Sequence, residues 1–193
     1  LGHIVDGDQL LLVIAKALKA KNQLKGGVVG TLMTNMAIEK AFQDLGVEFI
    51  RTHVGDRYVL EVLLEKGWSI GGENSGHILT LDQHSTGDAI IASLQVLKSL
   101  RLLNQSLHDA TKDSPLYPQV LINVETHKKI DLEKNKSIQD AVRSVEEKLN
   151  NKGRVLLRPS GTEPKIRVMV EGQDLEEVKS YANFIAEKVK EAA

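Results

Sequence analysis

Cysteine is missing from this 193-residue sequence, which excludes disulfides and thiolate chemistry. Its absence fits a cytoplasmic protein, and that is the expected location. No apolar run approaches the length of about 18 residues that marks a membrane span. No signal-peptide pattern opens the chain, so no membrane association is expected. A large excess of either charge is also missing, since the formal net charge is -1. General nucleic-acid binders carry a basic excess, so no nucleic-acid partner is expected, although a small local cationic pocket stays open. The first residue is Leu1 and not methionine, which suggests a piece of something longer. There is no internal repeat and no low-complexity tract. The histidines show no pair at ligand spacing on one face, which argues against zinc. "DGD" at Asp6–Asp8 has the outline of a metal loop but lacks the further acidic ligands of a Ca²⁺ or Mg²⁺ cage. A helix cap is the better reading, and no metal-ligating residue is expected in the chain.

What is present is ordinary core material. Hydrophobic residues make up 41% of the chain, which suits one large domain or two small ones. Residues 5–21 read as a helix that Asp6 or Asp8 caps, with Leu10, Leu11, Ile14 and Leu18 as its apolar face. "GGVVGTLM" reads as a strand. "TNMAIEKAFQDLG" reads as a helix with Met36, Ala37, Ala41 and Leu45 on one side. "VEFIRTHV" is the next strand, and "GDRYVLEVLLEKG" a helix that ends at Gly67. "WSIGGENSGHILTL" gives two short strands around a Gly-rich turn, and residues 85–105 a long helix. Alternating strands and helices predict a layered α/β domain with parallel pairing over residues 1–107.

The pattern changes after Leu107. "DATKDSP" is polar and turn-forming, and Pro115 is a breaker, so a domain boundary is expected there. Beyond it come a strand in "YPQVLINVET", a helix capped by Ser137, a strand pair (Gly153–Leu157 and Lys165–Glu171) and a final helix capped by Asp174. That β-α-β-β-α order predicts, for residues 108–193, an α+β domain with a small antiparallel sheet backed by helices.

Three stretches carry polar residues that a core does not need. In "LLRPSGTEPKIRVMVEG" the turn offers hydroxyls at Ser160 and Thr162 and close backbone approach at Gly161. Arg158 and Arg167 flank it and can sit side by side across a hairpin. Guanidinium forks, hydroxyls and backbone N–H groups together make a phosphate cradle. A lone "SGT" would be an ordinary turn, but this convergence favours an anion site. It is not a P-loop, because no Gly-Lys-Thr opens a helix. In "GGENSGH" a carboxylate (Glu73), an amide (Asn74) and a hydroxyl (Ser75) stand between glycines, with Gly76 and His77 closing the turn. Such a set suits a polyol such as a sugar. It equally suits a plain hairpin turn, and the local sequence does not choose. In "HVGDRYV", Gly55, Asp56 and Arg57 fall at a strand-to-helix junction, where helix N-termini attract anions. Read locally, Asp56 is better taken as a first-turn acid and Arg57 as a solvated residue.

Together "GGENSGH" and "RPSGTEPKIRVMVEG" resemble the α-D-phosphohexomutase superfamily, and within it the bacterial phosphoglucosamine mutases. "GTLMTNMAIEKAFQDLGVEFIRTHVGDRYV" and "STGDAIIASLQVL" are similar to that family too. Such enzymes have four domains: one with a phosphorylated serine, one with a Mg²⁺ loop, one with a sugar-recognition loop and one with a phosphate-binding loop. This chain resembles only the third and fourth, and it shows neither the serine motif nor a complete metal loop. The resemblance therefore implies the C-terminal half of an isomerase that interconverts glucosamine 6-phosphate and glucosamine 1-phosphate. It implies a glucosamine 1,6-bisphosphate intermediate and Mg²⁺ bound by the absent second domain. The partner it implies is the N-terminal half of the same protein, and the ligand a hexosamine phosphate. By the same resemblance Arg158, Ser160, Gly161, Thr162 and Arg167 contact the phosphate that is not reacting. Glu73, Asn74, Ser75, Gly76 and His77 bind the sugar, and Gly55, Asp56 and Arg57 orient it. No catalytic residue is implied within the chain, and the fragment alone is expected to be inactive. Two alternatives stand: the same half of a phosphoglucomutase or phosphomannomutase, and a stand-alone sugar-phosphate-binding module.

Overall fold

In the first strand two adjacent valines are buried on opposite sides, and the layering follows from that alternation. The computed structural model describes residues 2–126, 130–160 and 163–193. The chain divides into two compact units, Leu1–Leu116 and Tyr117–Ala193.

The first unit runs α1 (Gly7–Ala20), β1 (Val28–Thr31), α2 (Met36–Asp44), β2 (Phe49–Thr52), α3 (Asp56–Lys66), β3 (Ile70–Gly72), β4 (Ile78–Thr80), α4 (Ala89–Leu103) and α5 (Leu107–Thr111). Its sheet has the order β2-β1-β3-β4. β1 is parallel to both β2 and β3, and β4 returns antiparallel at the edge. Successive strand side chains point to opposite faces. Val28, Ile70 and Ile78 therefore join a core with Leu11 and Ile14 of α1, Ile38 and Phe42 of α2 and Ala92 and Val96 of α4. Val29 and Leu79 join the opposite core with Val59 and Leu63 of α3. The result is three layers, α/β/α.

Local choices explain the boundaries. Asp6 caps α1, accepting from Gln9 N at 3.1 Å. Gly67 ends α3 in the left-handed conformation. On α2 the buried centre is Ile38 and Phe42, with Phe42 stacked on Phe49. The expected set of Met36, Ala37, Ala41 and Leu45 only flanks it and is half-buried. The helix starts at Met36 after its Asn35 cap, and 100° per residue then turns 38 and 42 inward.

The boundary also falls later than the polar stretch suggested. Ser106 accepts from Asp109 N at 3.1 Å and donates to the Asp109 carboxylate at 2.6 Å, which starts α5. Ala110 and Thr111 are buried, Lys16 donates to Ala110 O, and Leu116 packs on the α1 side of the core. Residues 108–116 are thereby anchored to the first unit.

The second unit runs β5 (Gln119–Glu125), α6 (Lys136–Leu149), β6 (Gly153–Pro159), β7 (Lys165–Gly172) and α7 (Leu175–Ala192). Its antiparallel sheet has the order β5-β7-β6. Val124, Ile166, Val168 and Val170 pack against Ile138, Val145 and Leu149 of α6 and Val178, Ala182, Ile185 and Val189 of α7. Asp174 caps α7 as its position suggested. α6 is capped by Asn135, not Ser137: the Asn135 carboxamide accepts from Ile138 N at 3.2 Å, so Ser137 lies already inside the helix. On the face opposite α6 and α7 the register sets Gln119, Glu171 and Arg154 in one row and Asn123, Arg167 and Arg158 in another. Glu171 is fully buried and binds Arg154 at 2.9 Å and Gln119 at 3.0 Å. No helix among the described residues is long and apolar enough to cross a membrane.

Candidate functional site

Open sheets with parallel strands collect ligands beyond the carboxyl ends of those strands. In the first unit three loops leave that edge: residues 32–35 after β1, residues 53–55 after β2, and residues 73–77 between β3 and β4. Two of them hold the residues picked out in the sequence, and the fold joins them. Gly55 N donates to Glu73 Oε1 at 2.9 Å. His77 Nε2 lies 3.3 Å from Asp56 Oδ2. Gly55 caps α3 at φ +130° with no side chain of its own, so Glu73 supplies the carboxylate at that helix N-terminus. Asp56 Oδ1 also accepts from Arg57 N at 2.8 Å, and the Arg57 guanidinium lies 5.0 Å from the centre of the Tyr58 ring. Asn74 and Ser75 contribute differently. The Asn74 carbonyl accepts from Gly7 N at 2.9 Å, while among the described residues neither side chain makes a hydrogen bond. An amide and a hydroxyl are thus left open beside a fixed carboxylate, a set that can grip sugar hydroxyls.

The loop after β1 is braced by bonds of its own. Thr31 N donates to Thr34 Oγ1 at 3.0 Å. Arg51 donates to the Thr31 and Thr34 carbonyls at 3.1 and 2.6 Å, and pairs with Glu39 at 2.6 Å.

In the second unit the β6–β7 hairpin carries the cationic pair. Arg158 and Arg167 are direct cross-strand partners, and Arg167 lies 3.5 Å from Ser160 Oγ. Like charges opposite one another in a sheet repel. Burial first, and then the charge of Arg167, lowers the Arg158 pKa from its ordinary value. Among the described residues no carboxylate forms an ion pair with either, and Arg167 Nε is buried without a partner. Two adjacent guanidiniums without a counter-charge are a ready anion site. Gly161 and Thr162 lie outside the described residues. Lys165, at the start of β7, is already paired with Glu163 at 3.0 Å and Glu125 at 4.0 Å.

Two contributors escaped the sequence reading. Asn123 faces Arg167 across β5 and β7, a pairing that needs the sheet order to be known. Gly7 touches the 73–77 loop from α1, and only its place beside two acids hinted at it. Among the described residues no group of three or more His, Asp or Glu side chains could hold a metal.

Residues 6–117 match the family model for phosphoglucomutase/phosphomannomutase, alpha/beta/alpha domain III, and residues 121–188 match the phosphoglucomutase/phosphomannomutase C-terminal domain. The chain belongs to the phosphoglucomutase/phosphomannomutase family. Within that family it is 58% identical to the phosphoglucosamine mutase of Methylobacillus flagellatus, over all of this chain and 42% of that protein. It is 52% identical to that of Photorhabdus laumondii, over all of this chain and 43% of that protein. The chain thus spans less than half the length of these curated relatives. Solved structures of related fold include Aspergillus fumigatus N-acetylphosphoglucosamine mutase in complex with GlcNAc-6P and magnesium. It has a TM-score of 0.81 and 21% identity over 98% of this chain and 44% of that one. An N-acetylglucosamine-phosphate mutase in its substrate complex gives a TM-score of 0.81 and 24% identity, over 96% of this chain and 44% of that one.

Proposed function

We propose that the chain is the sugar- and phosphate-binding half of a phosphoglucosamine mutase, the enzyme that interconverts glucosamine 6-phosphate and glucosamine 1-phosphate. The observation that carries this reading is the cross-strand Arg158–Arg167 pair, which among the described residues has no ion pair with a carboxylate. In the proposal Arg158, Ser160 and Arg167, with Gly161 and Thr162, hold the phosphate that is not reacting. Glu73, Asn74, Ser75, Gly76 and His77 take the sugar hydroxyls and amine, and Gly55, Asp56 and Arg57 orient the ring. A phosphoserine in the preceding half donates its phosphoryl group to the free sugar oxygen. The resulting bisphosphate turns end for end, and its other phosphoryl group returns to the serine. A cradle that grips phosphate without reacting suits that cycle, because it must hold each end in turn while presenting the other. Catalysis of this kind rests on positioning and charge neutralisation.

Mg²⁺ would neutralise charge on the transferring phosphoryl group, and no residue of this chain is proposed to hold it. The proposed partner is the N-terminal half of the same protein, and the cysteine-free composition agrees with a cytoplasmic location. Identities of 52–58% to phosphoglucosamine mutases favour glucosamine over glucose or mannose as the sugar.

The test has two arms. The 193-residue chain, freed of host enzyme and supplied with Mg²⁺ and a bisphosphate activator, should bind glucosamine 6-phosphate without turning it over. The protein carrying both halves should act faster on glucosamine phosphate than on glucose or mannose phosphate. Turnover by the chain alone, or a preference for another sugar, would overturn the reading.

A further inference from the structure

Asp6, Gly7 and Asp8 open α1 and are too few to cage a metal, yet each fastens something different. Asp6 accepts from Gln9 N and closes the helix's own first turn. Asp8, 1% exposed, accepts from Asn35 N at 2.8 Å and so holds the loop after β1 at the cap of α2. Gly7 N donates to Asn74 O at 2.9 Å and so holds the loop between β3 and β4. The first amide of a helix has no partner within its own helix and ordinarily bonds water. Here it is spent on the loop that carries Glu73, Asn74, Ser75 and His77.

The fit at Gly7 leaves no room for a side chain. A Cβ there would fall on the Glu73 carbonyl oxygen, 2.5 Å from Gly76 N and 2.8 Å from Gly76 Cα. All three atoms are backbone, so no rotamer change can relieve the clash. The turn they belong to is closed by Gly76 N donating to Glu73 O at 3.0 Å, with Gly76 at φ +94°. Glu73 is consequently fixed from two sides. Its backbone rests against Gly7, and its carboxylate accepts from Gly55 N.

We infer that Gly7 is a positioning residue for the sugar: by close backbone approach it sets the 73–77 loop, and through it the Glu73 carboxylate, against the α3 N-terminus. This inference rests on the proposed sugar-phosphate function. Alanine is the better helix former at an N-terminal position, so Gly7→Ala should not weaken α1 itself. Its whole effect should come through the displaced loop.

The ligands for the test are glucosamine 6-phosphate and inorganic phosphate, titrated calorimetrically into the 193-residue chain. The parent should bind the sugar phosphate more tightly than phosphate. Gly7→Ala should lose at least about tenfold in sugar-phosphate affinity, the loss of one charged hydrogen bond, and keep its affinity for phosphate. In the protein with both halves the change should raise KM for sugar phosphate, with circular dichroism unchanged. A second measurement needs no variant. In the parent, the Gly7 amide should exchange with solvent far more slowly than the first amide of α7, Leu175, and should slow further when glucosamine 6-phosphate binds. A Gly7→Ala chain that binds sugar phosphate like the parent, or a Gly7 amide that exchanges like a solvated helix end, would overturn the inference. If the parent does not distinguish sugar phosphate from phosphate, the functional reading fails instead, and the exchange result still decides whether the loop is held.

Discussion

Replacing Arg158 separates two quantities that usually move together. In the unliganded chain Arg158 faces Arg167 across the strand pair, and among the described residues neither forms an ion pair with a carboxylate. A like-charged pair in a sheet costs a few tenths of a kcal/mol up to about 1 kcal/mol. Arg158→Met keeps the aliphatic stem and removes the charge, so the unliganded fold should be as stable as the parent or slightly more so. Ligand binding should change in the opposite direction. A guanidinium fork can take two phosphate oxygens at once, and a hydrogen bond to a charged group is worth roughly 1.5–3 kcal/mol. Loss of one such contact weakens binding by about 10- to 150-fold at about 1.4 kcal/mol per decade. Arg158→Lys should fall between, keeping the charge without the fork. Lys165→Ala should cost roughly 0–1 kcal/mol, because that lysine is a partly exposed partner of Glu163 and Glu125 and is not free to meet an anion. The assays are urea unfolding without ligand and calorimetric titration with glucosamine 6-phosphate, then with glucosamine 1-phosphate, since the proposed cycle needs the cradle to accept both. Parental affinity in Arg158→Met for both phosphates would refute the reasoning, and so would a loss of affinity matched by an equal loss of unliganded stability.

The two units have separate cores, so residues 1–116 and 117–193 expressed apart should each give a cooperative unfolding transition. A cut at 107/108 should instead leave the first piece less stable, because it removes the packing of Ala110, Thr111 and Leu116. Glu171→Leu should cost about 3 kcal/mol in chemical denaturation, since it removes the buried carboxylate that binds Arg154 and Gln119. Phosphate-monoester affinity should be flat above about pH 7 and fall as the ligand takes up a proton near pH 6; Arg158, though lowered, stays charged throughout. Asp6 is raised above its ordinary 3.8, mainly by burial and against the hydrogen bonds that lower it. Its protonated form is therefore favoured by folding, and its destabilising contribution appears as pH rises through the folded value. Asp6→Asn keeps the cap and should raise the melting temperature at pH 7 but not at pH 3.

How far the chain could be read without coordinates varied with the range of the interactions involved. Short-range signals served well. Asp174 caps α7, Gly67 ends α3, and counting across the hairpin put Arg158 beside Arg167. The S-x-x-D pattern at Ser106–Asp109 is equally local, but the polar residues around it read as a linker. Ser137 and Asn135 are both good caps, and the start of α6 at Asn135 goes with Ile138 and Val145 facing the core. The same holds for α2, where a shift in the starting residue exchanged the flanks for the centre. Contacts between distant segments were out of reach in principle. The pairing of β5 with β7 skips both a helix and a strand, so Asn123 could not be placed beside Arg167. The Glu73 to Gly55 bond spans two loops that share only a sheet edge. Gly7 against Gly76 depends on an approach distance that no periodicity encodes.

The loop between β3 and β4 differs from its two neighbours in a way that bears on how such a protein can diverge. It joins antiparallel strands and does not lead into a helix, and its ends are pinned by Glu73 N donating to His77 O. Immediately beyond, Gly72 pairs with Ile78 and Gly71 with Leu79, and those two side chains enter opposite cores. One inserted residue would have to be absorbed within residues 73–77, or it would exchange Ile78 and Leu79 between cores. Absorbing it there means lifting the loop off α1. An insertion here should therefore disturb the fold far more than a change of tip residue does. Under the proposed sugar role, a change of sugar preference should come from new side chains at 74, 75 and 77 at constant loop length.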